Sequence, residues 1–109
     1  MRDDRARLVD IADAIEKIER YSNIDKDRFT RDELIQTWMV YHLQVIGEAA
    51  NQLSDEFCSQ HPGIPWRAMA AMRYALVHAY FQVDLDEVWS AVQDDLPDVK
   101  ARILEVLRS

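Results

Sequence analysis

The feature that most constrains this chain is the spacing of its apolar residues, which recur every three or four positions. Near the start, charged residues separate four apolar ones at this spacing, Leu8, Ile11, Ile15 and Ile18. Such spacing returns side chains to one face of an α-helix, so a helix is predicted from near Asp3 to near Tyr21. Only two glycines and three prolines interrupt the 109 residues, and no stretch shows the alternation of a strand. The chain is therefore predicted to be all-α.

The same spacing predicts a second long helix that ends near Leu53. Thr30 and Glu33 have the S/T-x-x-E spacing of a capping box, which predicts that the helix begins there. Gly47 lies inside this helix, where glycine costs about 1 kcal/mol relative to alanine. We interpret it as a point of close approach for another helix. The inner side is predicted to carry Leu34, Ile35, Trp38, Met39, His42, Leu43, Ile46, Ala49 and Leu53.

The rest of the chain is predicted to be one loop followed by three helices. The loop covers residues 54–65, and Pro65 is placed to open a third helix that continues to near His78. A small-residue face on that helix is predicted to lie at or near a contact with a second copy of the chain; it consists of Ala68, Ala71 and Ala75. A short fourth helix follows Asp84, and a fifth begins at 95–97. The prediction is a single domain over 1–109, a bundle of about five helices built on two long antiparallel ones.

Composition indicates where in the cell the protein is expected and which partners its charge disfavours. A lone cysteine, Cys58, excludes an intramolecular disulfide and fits a reducing cytosol. No stretch approaches the roughly 20 apolar residues of a membrane span, and residues 1–5 lack the apolar region of a signal peptide. A cytoplasmic protein is expected. The net charge of −7 argues against non-specific nucleic-acid binding, so an RNA substrate would need a local basic cleft.

The side chains best suited to catalysis are those of Arg73 and His78. Arginine binds phosphate through a planar fork of donors, and histidine exchanges a proton near neutral pH. Five residues along a helix rotate about 500°, which places the two side chains roughly 140° apart. They would meet only if the helix frays near Tyr80 or if a second copy contributes its own helix. The plain alternative is a surface arginine and a hydrogen-bonded histidine at a helix end.

Other candidate residues have simpler interpretations. His42 is expected to be a hydrogen-bonded core histidine, because it lies on the apolar side of its helix. Cys58 and His61 have a metal-like spacing, but a zinc site needs about four ligands and no other cysteine exists. No metal site is expected there; a Cys58 nucleophile paired with His61 stays an alternative. The acidic residues between 84 and 98 are interpreted as helix caps and a solvated face.

Several motifs in order resemble one known family. They include Ile46-Gly47-Glu48-Ala49-Ala50, then 61–66, Met72-Arg73, 76–81, 83–85 and 95–97. This set is similar to HepT-like proteins of the HEPN superfamily, and it covers nearly the whole chain. The resemblance implies a small helical bundle that forms a homodimer, with both R-x4-H motifs lining one cleft. It further implies a metal-independent RNase without a cofactor, acting as the toxin of a toxin–antitoxin pair.

The resemblance also implies residue roles and a partner. His78 would act as general base or acid, Arg73 would hold the scissile phosphate, and the 2′-OH of RNA would attack. The antitoxin would be an MNT-type nucleotidyltransferase that attaches AMP to Tyr80. Family members usually carry a polar residue, often asparagine, after the motif arginine; here Tyr74 stands there as a possible cleft contributor. The rival interpretation is a non-catalytic HEPN partner or AMP acceptor, and a plain helical adaptor ranks last.

Overall fold

The computed structural model describes residues 3–75, 77–78 and 82–108, with the backbone alone at 74–75, 77–78 and 82–83. The described elements are α1 (Asp4–Glu19), α2 (Lys26–Arg31), α3 (Glu33–Asn51), α4 (Asp55–Gln60), α5 (Trp66–Ala75), β1 (Val77–His78), β2 (Gln82–Val83), α6 (Leu85–Ser90), a π-helical segment (Ala91–Asp95) and α7 (Leu96–Arg108). The prediction of an all-α bundle is confirmed. The structure adds one antiparallel pair of strands, each two residues long.

The two long helices α1 and α3 pack antiparallel, as predicted. At one end, the indole N–H of Trp38 donates to the carbonyl of Lys17 at 2.8 Å. At the other end, the backbone N–H of Ser54 donates to Asp4 at 2.9 Å and its hydroxyl donates at 2.7 Å. The C-terminal end of α1 therefore lies beside the first half of α3. The N-terminal end of α1 lies beside the segment that follows α3.

A third long helix, α7, completes the bundle by packing on α1. Arg5 donates to the carbonyl of Leu107 at 3.2 Å, and Lys100 forms an ion pair with Glu19 at 2.7 Å. These contacts show that α7 also runs antiparallel to α1. The core joins residues from six of the described α-helices; its largest fully buried side chains are Phe29, Leu8, Ile11, Ile15, Ile18, Met39, Leu43, Ile46, Met69, Ile103 and Val88.

Two short helices occupy stretches that were predicted to be irregular. α2 lies between α1 and α3, and α4 lies inside the predicted loop 54–65. The predicted capping box is wrong: Thr30 belongs to α2 and donates its hydroxyl to the carbonyl of Lys26 at 2.8 Å. Asp32 caps α3 instead, accepting from the N–H of Ile35 at 3.1 Å. Aspartate is a strong N-cap because its carboxylate accepts a free backbone N–H.

Two further details differ from the sequence prediction. Leu34 was predicted to face the core but is 84% exposed in the first turn of α3. The predicted break near residue 95 is a π-helical segment that continues α6 into α7. Pro97 has no N–H for the usual i→i−4 bond, and a wider turn before it accommodates that loss.

None of the helices in the described part of the chain is both long and apolar enough to cross a bilayer.

Candidate active site

Arg73 lies near the end of α5, a helix fixed firmly at its beginning. Its first residue, Trp66, is 7% exposed and donates its indole N–H to the carbonyl of His61 at 2.9 Å. The carbonyl of Pro65 accepts from the N–H of Met69 at 2.9 Å, so Pro65 stands just before the helix rather than in its first turn. Met69 is 1% exposed and anchors the helix in the core. These contacts hold α5 against α3 and so determine where Arg73 emerges.

Gly47 gives α5 its close approach to α3, as the sequence suggested. A Cβ built on Gly47 would lie 2.8 Å from the backbone nitrogen of Arg73 and 3.0 Å from the carbonyl oxygen of Met69. It would also lie 3.2 Å from the Cβ of Arg73. No side chain fits at such distances without displacing backbone. The two helices therefore touch through bare backbone at the motif arginine itself.

The neighbour of this glycine, Glu48, reaches the arginine head group. Its Oε2 lies 3.8 Å from Nη1 of Arg73, and its Oε1 accepts from the side-chain amide of Gln52 at 3.3 Å. The Arg73 side chain is 23% exposed and the Glu48 side chain 60%. The arginine is thus largely buried beside a carboxylate that solvent reaches. No role was predicted for Glu48 from the sequence, although it directly follows Gly47, an unusual glycine inside a helix.

The backbone of His78 lies outside α5, which corrects the predicted helix. The helix was expected to continue to near His78 but ends at Ala75, and His78 is the second residue of β1. β1 pairs antiparallel with β2, with Val77 opposite Val83 and His78 opposite Gln82. Valine favours extended backbone over helix. The helical angle between Arg73 and His78 therefore does not apply.

Three of the predicted site side chains are not placed by the structure. Tyr80 lies outside the described residues, and so do the side chains of Tyr74 and His78. The assigned roles of these residues stay predictions.

The predicted small-residue face of α5 borders an acidic groove. Ala68 and Ala71 are exposed and line a groove of about 460 Å³ between α5 and α6. Its acidic lining residues are Asp84, Asp86, Glu87 and Asp95. Asp84 caps α6 by accepting from the N–H of Glu87 at 3.1 Å, and Asp86 pairs with Lys26 at 3.0 Å. The interpretation of these acids as caps and solvated surface fits both contacts.

The alternative nucleophile, Cys58, is held in its less reactive form. Burial raises the pKa of the Cys58 thiol, and the nearby carboxylates of Asp4 and Asp55 raise it further. A nucleophilic cysteine needs a lowered pKa. His61 contributes its backbone N–H to the carbonyl of Cys58 at 3.2 Å, while its ring packs on Phe57 with centroids 4.6 Å apart. In the described part of the chain, no group of three or more His, Cys, Asp or Glu residues could hold a metal ion.

His42 is a core residue, as predicted, at 5% exposure. Its ring lies between Trp38 and Tyr41, with centroids 4.5 and 4.9 Å away. Its Nε2 has no hydrogen-bond partner among the residues that the structure describes, which differs from the predicted hydrogen-bonded state. Burial lowers the pKa of His42 below its ordinary value of 6.5, and the charges of Lys17 and Arg20 lower it further. The ring is therefore neutral at neutral pH.

The fold and the motif together define a class of protein. An all-α bundle that holds an arginine at a helix–helix contact, five residues before a histidine, is an HEPN-type domain. The sequence profile of the family described as "Ribonuclease HepT-like" matches residues 11–106. The chain belongs to this family. The enzyme class predicted from the sequence, a ribonuclease, is confirmed at the level of the family.

Curated relatives agree with this assignment. The chain is 43% identical over 96 residues to a Thermococcus cleftensis protein named "Probable ribonuclease HepT", covering 87% of each chain. It is 33% identical over 103 residues to a Methanocaldococcus jannaschii protein named "Putative RNase", covering 94% of each. It is also 33% identical over 91 residues to a Caldanaerobacter subterraneus protein of that name, covering 84% of this chain and 81% of the relative. No solved structure matches the chain significantly.

Proposed function

We propose that this chain is a metal-independent endoribonuclease that acts as a HepT-type toxin, with Arg73 and His78 as its catalytic residues. The observation that carries the proposal is the placement of Arg73. Its side chain is 23% exposed, at a backbone contact between two helices, within the matched range of a ribonuclease family. A largely buried guanidinium attracts phosphate more strongly than a solvated one, because the surroundings screen it less.

The proposed reaction needs only groups that the chain and the RNA supply. The ribose 2′-oxygen attacks the neighbouring phosphorus, and its proton passes to a base. The bond from phosphorus to the 5′-oxygen breaks, and that oxygen takes a proton from an acid. His78 serves as the base or the acid, and Arg73 stabilises the negative charge that develops on the phosphoryl oxygens. The products are a 2′,3′-cyclic phosphate end and a 5′-hydroxyl end.

The wider proposal covers assembly and control. Two copies form a homodimer in which both R-x4-H motifs line one cleft, which supplies a second arginine and a second histidine to the RNA. An MNT-type nucleotidyltransferase acts as antitoxin by attaching AMP to Tyr80. The added phosphate would bring negative charge close to the motif and oppose RNA binding.

A second candidate is a HEPN partner or AMP acceptor that does not cleave RNA. Tyr74 follows the motif arginine in place of a smaller polar residue, and the chain carries a net charge of −7. The carboxylate of Glu48, 3.8 Å from Arg73, also offsets part of the charge that would attract RNA. These observations favour binding without cleavage.

An RNA cleavage assay in EDTA separates the two candidates. Intact mass is measured first, because an AMP on Tyr80 would imitate an inactive protein. We expect unmodified protein to release fragments with 2′,3′-cyclic phosphate ends and His78→Ala to release none. His61→Ala is the matched control and should cleave normally. Cleavage that persists in His78→Ala would refute the role of His78, and intact RNA with unmodified wild type would favour the non-catalytic partner.

A further inference from the structure

Arg73 owes its position to two consecutive residues of a different helix. Gly47 and Glu48 lie in α3, more than twenty residues before the motif, and both contact Arg73. Gly47 meets its backbone nitrogen and its Cβ, while Glu48 meets the end of its side chain. A residue on α5 is therefore fixed at both ends of its side chain by adjacent positions of α3.

The contact with Gly47 determines the position of the Arg73 backbone. The closest atoms to a Cβ at position 47 are backbone atoms, the nitrogen of Arg73 at 2.8 Å and the oxygen of Met69 at 3.0 Å. Real Cβ atoms do not approach backbone so closely, and backbone within a helix cannot rotate away as a flexible side chain can. A methyl group at Gly47 would therefore push α5 outward at Arg73. A glycine inside a helix is otherwise unfavourable by about 1 kcal/mol, so its presence is explained by this contact.

The contact with Glu48 determines the position of the Arg73 guanidinium. A single oxygen of Glu48 approaches a single nitrogen of Arg73 at 3.8 Å, which is longer than a bidentate ion pair. Gln52, the C-cap residue of α3, donates to the other oxygen at 3.3 Å. The carboxylate is thus restrained by its own helix and attracts the guanidinium without enclosing it. Such a contact orients the arginine and at the same time opposes an incoming phosphate.

We propose that Gly47 and Glu48 are positioning residues for Arg73, the first by admitting its backbone and the second by orienting its guanidinium. This inference rests on the proposed function, in which Arg73 binds the scissile phosphate. It assigns two opposing effects to Glu48: the carboxylate improves the alignment of Arg73 for the reaction, and it weakens the binding of RNA. Gly47 affects alignment alone, because it carries no charge.

The glycine is tested with a matched pair of substitutions. Gly47→Ala is expected to lower kcat at least ten-fold, since a displacement of about 1 Å can cost a hundred-fold in rate. Gly63→Ala is the control: its Cβ would lie 2.9 Å from Nη1 of Arg102, the end of a flexible side chain that can move. Gly63→Ala should keep the wild-type kcat. Wild-type kcat in folded Gly47→Ala would overturn the role of Gly47.

The glutamate is tested by separating kcat from KM. Glu48→Gln removes the charge and keeps the shape, so kcat should fall roughly two- to five-fold, as for a partly exposed ion pair. KM for RNA should fall as well, because a negative charge beside the phosphate site is gone. A purely structural role would not lower both constants together. An unchanged kcat, or a raised KM, would overturn the role of Glu48, and this variant serves even if Gly47→Ala fails to fold.

A spectroscopic measurement separates this inference from the proposed function. The Nε–Hε resonance of Arg73, assigned with Arg73→Lys, is recorded in free protein by NMR. It should shift in Gly47→Ala and Glu48→Gln but not in Gly63→Ala. If wild type leaves RNA intact while these shifts appear, the proposed function fails and the positioning stands. If the resonance stays unchanged in both α3 variants, the positioning is refuted whatever the protein does to RNA.

Discussion

The two halves of α3 have different surroundings. Its C-terminal half carries Gly47 and Glu48 and contacts α5 through backbone and through the ion pair with Arg73. Its N-terminal half contacts α1 through the indole of Trp38 but leaves Leu34 84% and Tyr41 61% exposed. Since a helix rises 1.5 Å per residue, Leu34 and Glu48 are about 21 Å apart. One helix therefore links the candidate active site to an apolar surface that the described part of the chain leaves exposed.

The candidate active site therefore lies at the C-terminal half of α3, and an exposed apolar surface lies at its N-terminal half. Exposed apolar residues that cluster on one surface commonly mark contacts with another protein. Tyr21 extends this surface: it is 47% exposed, and its ring lies 5.4 Å from that of Trp38. The small-residue face of α5, by contrast, borders an acidic groove.

The largest effect is expected at the C-terminal half. Arg73→Lys keeps the positive charge but loses the planar fork that binds two phosphate oxygens. We expect kcat for RNA cleavage to fall about a hundred-fold, as for the loss of one donor to a charge that develops during reaction. Arg67→Lys, an exposed position on the same helix, should retain wild-type kcat. Equal activity in both variants would show that the fork at Arg73 has no part in the reaction.

The second prediction concerns assembly. Ala71→Glu places a charge on the face predicted from the sequence to contact a second copy, and we expect it to convert dimers to monomers in light scattering, because that face lies on the same helix as Arg73. Leu34→Glu, in the exposed apolar surface about 21 Å away along α3, is expected to stay dimeric. The reverse result would move the dimer contact from Ala68, Ala71 and Ala75 to the exposed surface of α3. Circular dichroism should show that both variants retain their helices.

The smallest effect is a pH dependence from the N-terminal half. The folded chain resists protonation of His42, because burial lowers its pKa below 6.5, whereas the unfolded chain takes up the proton near that value. The unfolded state is therefore favoured as pH falls below about 6.5, and stability is lost on the acid side. Urea unfolding at pH 7.5 and 5.5 should show a larger loss for wild type than for His42→Leu. Val45→Leu should behave as wild type; equal losses in all three would exclude His42 as the cause.

Long periodic helices were the part of the fold that the sequence predicted well. α1 and α3 each extend over four or more turns, which gives the three- and four-residue spacing enough repeats to be recognised. α2 and α4 contain six residues each, too few for a period to appear, and were missed. The start of α3 depended on which of two polar residues caps it. Thr30 fitted the motif, but Asp32 makes the bond, and that choice depends on the geometry of the turn.

The sequence indicated candidate site residues but did not indicate every residue that contacts them. The roles predicted for Arg73 and His78 come from their spacing and from the resemblance. No role was predicted for Glu48, because its contact with Arg73 crosses between helices and depends on their separation. Gly47 was interpreted correctly as a point of close approach, since an interior glycine needs a packing reason. The end of α5 before His78 was missed, because the apolar run continues through that stretch without an interruption.

The bare backbone contact at Gly47 has a consequence for how genes of this kind are surveyed. Every missense change at a glycine codon adds a Cβ atom, and at position 47 every Cβ meets the backbone of Arg73. If the activity harms the cell that makes it, inactivating changes are favoured, and this codon offers them without altering Arg73, His78 or Tyr80. Genes silenced in this way would keep an intact R-x4-H-x-Y motif. A survey that counts active copies by the motif alone would include them.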